Sequence, residues 1–399
     1  MDRSNLQQVG KQFLSVIEQQ LNRIEKIKKS DTWINYQEVS PIIIGMIGGD
    51  GIGPIISDAT RYVLEELLSE EKQLGKILFK DIQGLTIGNR ASVGKAIPDD
   101  VLEEIKKCHV TLKGPTHTPE KGDPWPNIES ANVAMRKELD LFANVRPVRI
   151  PADNIDWTFF RENTEDLYAV GSQGINVTED LAVDFRIIST TGSTRIIEAA
   201  FAHAERTGKS KVTVVTKANV VKTTDGKFLE VANKVAAKYP NISWDSWYID
   251  IMTAKLLDVK RRHQFEVLVM PNLYGDILTD EAAEIQGGVG TAGSANIGKS
   301  HAMFEAIHGS APRMVKEGRA KYADPSSLLR AGAMLLDHIG FTSLGDRLNK
   351  AIDICGMYEK TFPIHGRESG ATTEQYGKYI LETIKNPNLN EIWATYSKG

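Results

Sequence analysis

Asp276 and Asp280 are where this sequence most clearly offers chemistry. They lie in Pro271-Asn272-Leu273-Tyr274-Gly275-Asp276-Ile277-Leu278-Thr279-Asp280, after an apolar run from Phe265 to Met270 that predicts a buried strand. The polar turn that follows predicts a helix. A spacing of four puts both carboxylates on one helix face, about one turn apart. Two hard oxygen ligands so placed can hold a divalent cation and leave positions for water and substrate. The plainer alternative is acidic charge complementing a helix N-terminus. Taken alone, the segment favours that alternative, so other residues must decide.

Three arginines bear on the question. Arg136, Arg146 and Arg161 occur in Met135-Arg136, Asn144-Val145-Arg146-Pro147 and Arg161-Glu162-Asn163. Arg146 and Arg161 each end a run that reads as a strand, and strand ends in α/β folds are where ligands bind. Three guanidiniums converging on one pocket would recognise carboxylates with bidentate geometry. Surface salt bridging is the alternative for each arginine singly. The turn Gly49-Asp50-Gly51-Ile52-Gly53-Pro54 joins the first strand to the first helix, but its spacing is wrong for a dinucleotide fingerprint. Alone it reads as a tight turn.

The elements that must position these residues follow a regular pattern. Strands are predicted at 42–47, 77–82, 109–112, 211–216, 242–248 and 265–270. Helices are predicted at 54–68, 98–107, 224–239 and 250–259, and long helices dominate after Ser326. This alternation predicts an α/β protein with mixed sheets. Between Ala182 and Ile188 apolar and polar residues alternate, which predicts a two-faced strand. Residues 4–29 form their own unit. Leu6, Val9, Phe13, Ile17, Leu21, Ile24 and Ile27 mark one apolar helix face that must dock, on its own domain or between subunits.

With 399 residues the chain is long enough for two or three domain-sized units. Its 48 basic and 52 acidic residues leave a net charge of −4, with no global basic signature for nucleic acid. No run is long and apolar enough to span a membrane. Asp2, Glu18 and Glu25 interrupt any transit-peptide pattern. The two cysteines, Cys108 and Cys355, form no metal-ligand pattern and suit a reducing, cytoplasmic compartment.

Several motifs agree in order: the Gly49–Pro54 turn, Lys113-Gly114-Pro115, Met135-Arg136, Asn144–Pro147, Arg161–Asn163, Asn272–Asp276 and His308-Gly309-Ser310-Ala311-Pro312. In these the chain resembles the metal-dependent β-decarboxylating dehydrogenases, which act on isocitrate, 3-isopropylmalate, homoisocitrate and tartrate. The resemblance runs from about Ile42 to the C-terminus and leaves the N-terminal helix outside.

The resemblance implies an isopropylmalate-dehydrogenase-like α/β fold with a discontinuous large domain and a homodimer with shared active sites. The expected division is an N-terminal helical extension (1–40), a large cofactor domain (41–141 and 287–399), a small domain (142–165 and 196–286) and a clasp (166–195). It also implies roles. Arg136, Arg146 and Arg161 would clamp substrate carboxylates, and Tyr168 would protonate the carbon that loses carbon dioxide. Lys217 would deprotonate the substrate hydroxyl together with Asp250. Asp250 would reach across the dimer to the Asp276–Asp280 metal site, for Mg²⁺ or Mn²⁺, so that Lys217 and Asp250 would both belong to the partner subunit. Cofactor contacts would come from Lys113, Thr118, Asn132, His308, Gly309, Ser310, Ala311, Arg313 and Asp324.

Substrate choice rests on Ser130 and Asn132. Isocitrate-type members carry Ser and Asn two apart before the arginine, whereas isopropylmalate-type members place bulky apolar residues there. A third carboxylate needs hydrogen-bond donors, which Ser130 and Asn132 supply. Isocitrate is the expected substrate, with homoisocitrate or 3-isopropylmalate as the alternative. A non-catalytic regulatory subunit is the remaining one, disfavoured because the acid–base and metal set is whole. Ser130 also matches a serine phosphorylated in some bacterial members, but nothing here implies a kinase. Arg313 stands where NAD-specific members usually carry Asp. An arginine can pair with a 2′-phosphate, so NADP is expected and NAD is the alternative.

Overall fold

β-Branched and large apolar residues dominate the runs that become strands, and four successive buried residues make up Val267–Met270. The computed structural model describes residues 3–29, 33–120, 122–150, 153–171, 173–288 and 292–397. Asp2 lies outside them. The strands are β1 (Ile42–Ile47), β2 (Ile77–Asp81), β3 (Val110–Lys113), β4 (Ala143–Ile150), β5 (Ile155–Glu162), β6 (Ile175–Asn176), β7 (Ala182–Val183), β8 (Lys211–Thr216), β9 (Ser243–Tyr248), β10 (Val267–Met270), β11 (Gly293–Ile297) and β12 (Ala302–Ala306). The helices are α1 (Arg3–Lys29), α2 (Gly53–Leu67), α3 (Ser69–Gln73), α4 (Ile87–Val93), α5 (Asp99–Lys106), α6 (Ala131–Glu138), α7 (Thr190–Thr207), α8 (Thr224–Ala236), α9 (Ile249–Leu257), α10 (Asn272–Gln286), α11 (Pro312–Lys316), α12 (Ser326–His338), α13 (Thr342–Asp353), α14 (Thr373–Lys385) and α15 (Leu389–Ser397).

The chain forms two compact units, residues 1–33 with 142–285, and residues 34–141 with 286–399. In the first unit the strands pair in the order β4-β5-β10-β8-β9. β4 and β5 are antiparallel, whereas β10 runs parallel to both β5 and β8. Val148, Trp157, Phe159, Val215, Leu268, Met270 and Leu278 pack into one buried cluster that fixes α10 against this sheet. In the second unit the order is β2-β1-β3-β12-β11, with β11 and β12 antiparallel and the other pairs parallel. There Ile47, Val101, Ile105, Met135, Leu141 and Met303 share a core that seats α5 and α6. Both sets of strands mix parallel and antiparallel pairs, as the alternating pattern predicts.

The expected strand over 182–188 is only two residues long. β7 pairs with β6 and stops at Val183. Beyond it, neighbouring side chains take different partners. Phe185 meets Phe13 of α1 at 5.1 Å between ring centroids, and Arg186 turns toward Asp166 and Asp225. Ile187 keeps a single bridge to Asp166. Polar–apolar alternation therefore arises here from a chain wedged between two surfaces, not from a sheet. No described helix is long and apolar enough to cross a membrane, and both cysteines are free and buried.

Candidate active site

The first unit gathers five of the expected site residues. Antiparallel register sets Asn144 of β4 opposite Arg161 of β5, with Arg146 two residues along. A period of two puts Arg146 and Arg161 on the same sheet face. Both are buried, at 7% and 1% exposure. Arg161 Nη1 pairs with Asp276 Oδ1, and its Nε donates to Asn272 Oδ1 at 2.8 Å. Arg146 Nη1 reaches Asp280 Oδ1 at 2.9 Å and Thr279 Oγ1 at 2.7 Å. The two carboxylates share one face of α10, and their side chains are 40% and 62% exposed. Buried cations thus hold carboxylates whose side chains are partly exposed.

Tyr168 completes the group. Its hydroxyl donates to Asp276 Oδ2 at 2.7 Å, and the Arg161 guanidinium lies 5.3 Å from its ring centroid. Gly275 makes the close approach possible. A Cβ there would stand 2.4 Å from Arg161 Cγ, so no larger residue fits beside the arginine stem.

Lys217 and Asp250 form a separate pair in the same unit, with Nζ 2.6 Å from Oδ1. The hydrogen bond from Lys217 holds the Asp250 carboxyl below its usual range. Lys217 also lies 5.8 Å from the Tyr248 ring centroid. Among the described residues, no group of three or more His, Cys, Asp or Glu side chains could hold a metal ion. Within the chain as described, Asp250 is therefore not gathered with Asp276 and Asp280.

Beneath these residues lies a polar network that sequence reasoning missed. Asp225, fully buried, accepts from the Lys217 backbone N–H at 2.6 Å and from the Tyr274 hydroxyl at 3.0 Å. Arg186 Nη1 lies 3.1 Å from Asp225 Oδ1 and donates to the Tyr274 hydroxyl at 2.7 Å. Its Nε lies 2.6 Å from Asp166 Oδ1, and Asp166 Oδ2 accepts from Leu273 N at 2.9 Å. One network thus ties Lys217, the start of α10 and the residue two before Tyr168. Asp166 has φ 66° and ψ −146°, a conformation costing roughly 1–3 kcal/mol outside glycine. These contacts over-determine it. The one sequence signal was charge inside otherwise apolar runs, which does not say whether that charge is buried.

The second unit gathers a different set. Lys113 ends β3 fully buried, 3.6 Å from Glu305 of β12. Arg136 of α6 lies 3.3 Å from the same carboxylate, and Asn296 donates to it at 2.8 Å. Burial pushes the Lys113 ammonium below its ordinary range despite Glu305. Burial opposes charge on Glu305 too, but Lys113 and Arg136 prevail and hold its carboxyl low. Arg136 Nε is buried without a hydrogen-bond partner, a donor that an anionic ligand would satisfy. Glu305 was not among the expected site residues.

Ser130 is the N-cap residue of α6, but its side chain makes no capping bond. Asn132 Oδ1 accepts from Thr116 Oγ1 at 3.2 Å. Thr118 is exposed on the loop beyond. The Gly49–Pro54 turn proves to be a packing device. Asp50 accepts from Ile87 N and His117 N, each at 2.8 Å, and so ties the start of α4 and the His117 loop to the turn. Gly51, at φ 63°, admits the Ser310 carbonyl where a Cβ would stand only 1.9 Å away.

The expected cofactor segment follows β12. His308 Nδ1 lies 3.0 Å from Gly309 O, while its Nε2 is buried without a partner. Ser310 is buried, and its carbonyl accepts from Ile52 N at 3.1 Å. Ala311 has φ 47° and ψ 56° ahead of α11. Arg313 is 86% exposed and donates to Glu317 at 2.6 Å, and Arg319 binds the same carboxylate. Asp324 accepts from Ser326 N at 2.8 Å, and burial raises its carboxyl above the usual range. The orphaned His308 nitrogen and the exposed Arg313 fit a phosphorylated nucleotide.

Comparison with known proteins identifies the family. The isocitrate/isopropylmalate dehydrogenase family pattern matches residues 43–380. The chain is 39% identical over 376 residues to the NADP isocitrate dehydrogenase of Rickettsia prowazekii, covering 90% of this chain and 72% of that protein. It is 36% identical over 357 residues to the homoisocitrate dehydrogenase of Methanocaldococcus jannaschii, covering 85% of this chain and 97% of that one. The crystal structure of isocitrate dehydrogenase from Methylococcus capsulatus superposes with a TM-score of 0.74 at 34% identity, covering 86% of this chain and 99% of that one. With its arginines and carboxylates arranged as described, the chain belongs to the isocitrate/isopropylmalate dehydrogenase family.

Proposed function

We propose that this protein oxidises D-isocitrate to 2-oxoglutarate and carbon dioxide while reducing NADP⁺, and that it needs a divalent metal ion. The observation that carries the reading is the α10 face, where Asp276 and Asp280 are each held by a buried arginine and Tyr168 bonds to Asp276. Ser130 and Asn132 on α6 favour isocitrate over an alkyl-bearing substrate, because both carry polar groups that can meet a third carboxylate. The relatives named as NADP isocitrate dehydrogenases support the same substrate and cofactor.

Asp276 and Asp280 supply hard oxygen donors for Mg²⁺ or Mn²⁺, with Asp250 contributed by a second copy of the chain. When bound, the ion would supply stabilisation of negative charge on a substrate oxygen and NADP⁺ a hydride acceptor, neither of which the side chains provide. The side chains do the rest. Arg136, Arg146 and Arg161 bind and orient the carboxylates with charge-assisted bonds. Lys217 and Asp250 of the second copy act together in removing the hydroxyl proton, which the Asp250 carboxylate can accept. The carboxylate β to the new ketone leaves as carbon dioxide, and the Tyr168 hydroxyl delivers a proton to the carbon left behind.

Arg313 is assigned to the NADP 2′-phosphate, with NAD as the alternative cofactor. A homodimer with shared sites and a cytoplasmic location belong to the same reading, the latter supported by two free buried thiols. Initial rates of the purified protein with D-isocitrate and Mg²⁺, comparing NADP⁺ with NAD⁺, test the proposal. We expect turnover without any other protein and a higher kcat/KM with NADP⁺. Turnover with homoisocitrate or 3-isopropylmalate in place of isocitrate would overturn the substrate assignment. No turnover with any of the three would return the chain to a regulatory role.

A further inference from the structure

Helix α1 lies outside residues 43–380, yet it reaches the segment that carries Tyr168. Arg23 Nη2 pairs with Glu165 Oε1, and its Nη1 donates to Thr164 Oγ1 at 3.3 Å. Gln20, one turn earlier, accepts from Arg23 Nε at 3.0 Å and orients the guanidinium. Glu165 and Glu162 are both buried, at 0% and 1% exposure, and Glu162 Oε2 accepts the Glu165 backbone N–H at 2.5 Å. The Glu165 charge bears on Glu162, and two buried carboxylates that interact cannot both stay charged without nearby cations. Two cations face them: Arg23 from α1 and Arg195 from α7. Arg195 donates to Thr164 Oγ1 at 3.0 Å, and its guanidinium lies 4.4 Å from the Phe142 ring centroid.

What this pair holds matters for the site. The Glu165 carboxylate accepts from Ser189 N at 2.8 Å at the head of α7. The Glu165 carbonyl accepts from Asn272 Nδ2 at 3.3 Å, and Asn272 in turn holds Arg161. Asp166 comes next, in its disfavoured backbone conformation, and then Leu167 and Tyr168. A conformation of that kind persists only while its surroundings hold it.

We propose that Arg23 is a positioning residue for Tyr168: by neutralising the buried Glu162–Glu165 pair it locks residues 162–168 in the geometry that aims the tyrosine hydroxyl. The N-terminal helix is then a working part of the site and not an appendage. The inference rests on the reading of Tyr168 as the proton donor, but its first test does not depend on turnover.

The test compares the full-length wild type with Arg23→Gln, Arg23→Lys, Glu165→Gln and the double variant Arg23→Gln/Glu165→Gln. Hydrogen–deuterium exchange is followed across residues 162–170. We expect about tenfold faster exchange there in Arg23→Gln, substantial restoration in Arg23→Lys, and little further effect of Arg23→Gln once Glu165 is Gln. Unchanged exchange in 162–170, or an equal rise throughout the unit formed by residues 1–33 and 142–285, overturns the proposal.

Rates with isocitrate and NADP⁺ give the second readout. Arg23→Gln is expected to lower kcat about tenfold with KM within about threefold. The deficit is expected to grow from pH 6 to pH 8.5, as Glu162 loses its proton with the Arg23 charge no longer beside it. A pH-independent deficit assigns Arg23 a merely structural role and overturns the proposal. A wild type without turnover defeats the functional reading alone and leaves the exchange test standing.

Discussion

The Tyr168 hydroxyl donates to Asp276 Oδ2 at 2.7 Å, so the residue assigned to proton delivery and a residue assigned to the metal share one hydrogen bond. Asp276 also receives Arg161, which lies over the Tyr168 ring. Three functional groups are therefore coupled through one carboxylate. Removing one changes the charge seen by the other two.

Tyr168→Phe deletes the proton and keeps the ring. We expect kcat to fall about 10²–10⁴-fold, the usual contribution of a positioned acid, with KM for isocitrate little changed. Steady-state rates at saturating metal check this. A kcat near wild type would remove Tyr168 from the proton transfer.

Asp276→Asn and Asp280→Asn each remove a charged oxygen donor from α10. The apparent metal affinity should weaken by at least about tenfold, or about 1.4 kcal/mol, with Asp276→Asn also loosening Arg161 and raising KM for isocitrate. Rates are measured against Mg²⁺ concentration. Near-normal turnover of Asp276→Asn at limiting metal would show that the ion binds elsewhere.

Glu317→Gln should free Arg313 and Arg319 from a shared carboxylate that now competes with any phosphate. KM for NADP⁺ should fall about two- to fivefold while KM for NAD⁺ stays constant, consistent with the small worth of exposed ion pairs. Parallel saturation curves with both cofactors decide it. An equal change in both would detach Arg313 from the 2′-phosphate.

The Glu162 carboxyl is pushed up from its ordinary 4.5 to about 7, first by burial and then by Glu165. The folded protein therefore holds a proton that the unfolded chain releases. Its contribution to stability is fully present below about pH 4.5 and is lost as pH rises through about 7. Glu162→Gln stays neutral and should remove that slope. Urea unfolding at pH 5, 6, 7 and 8 should show the wild type losing on the order of 1–3 kcal/mol relative to the variant across this window. Parallel curves would mean that Glu162 does not titrate there.

Much of the candidate site could be read in the chain because its signals are local. A period near 3.6 is enough to put Asp276 and Asp280 on one helix face, and the apolar run before Pro271 is enough to make β10. The order of the Arg, Tyr, Lys and Asp motifs likewise named the groups that the two units carry. Tertiary structure alone decided the rest, because burial and long-range pairing set it. Register between β4 and β5 put Arg146 and Arg161 on one face. Folding brought Glu305 between Lys113 and Arg136, over sequence separations that no periodicity encodes. It split Ala182–Ile188 among α1, Asp166 and β6, where alternation alone had predicted one strand. It also carried Arg23 to Glu165, 142 residues away, turning an amphipathic helix of unknown purpose into the cation that a buried acidic pair requires.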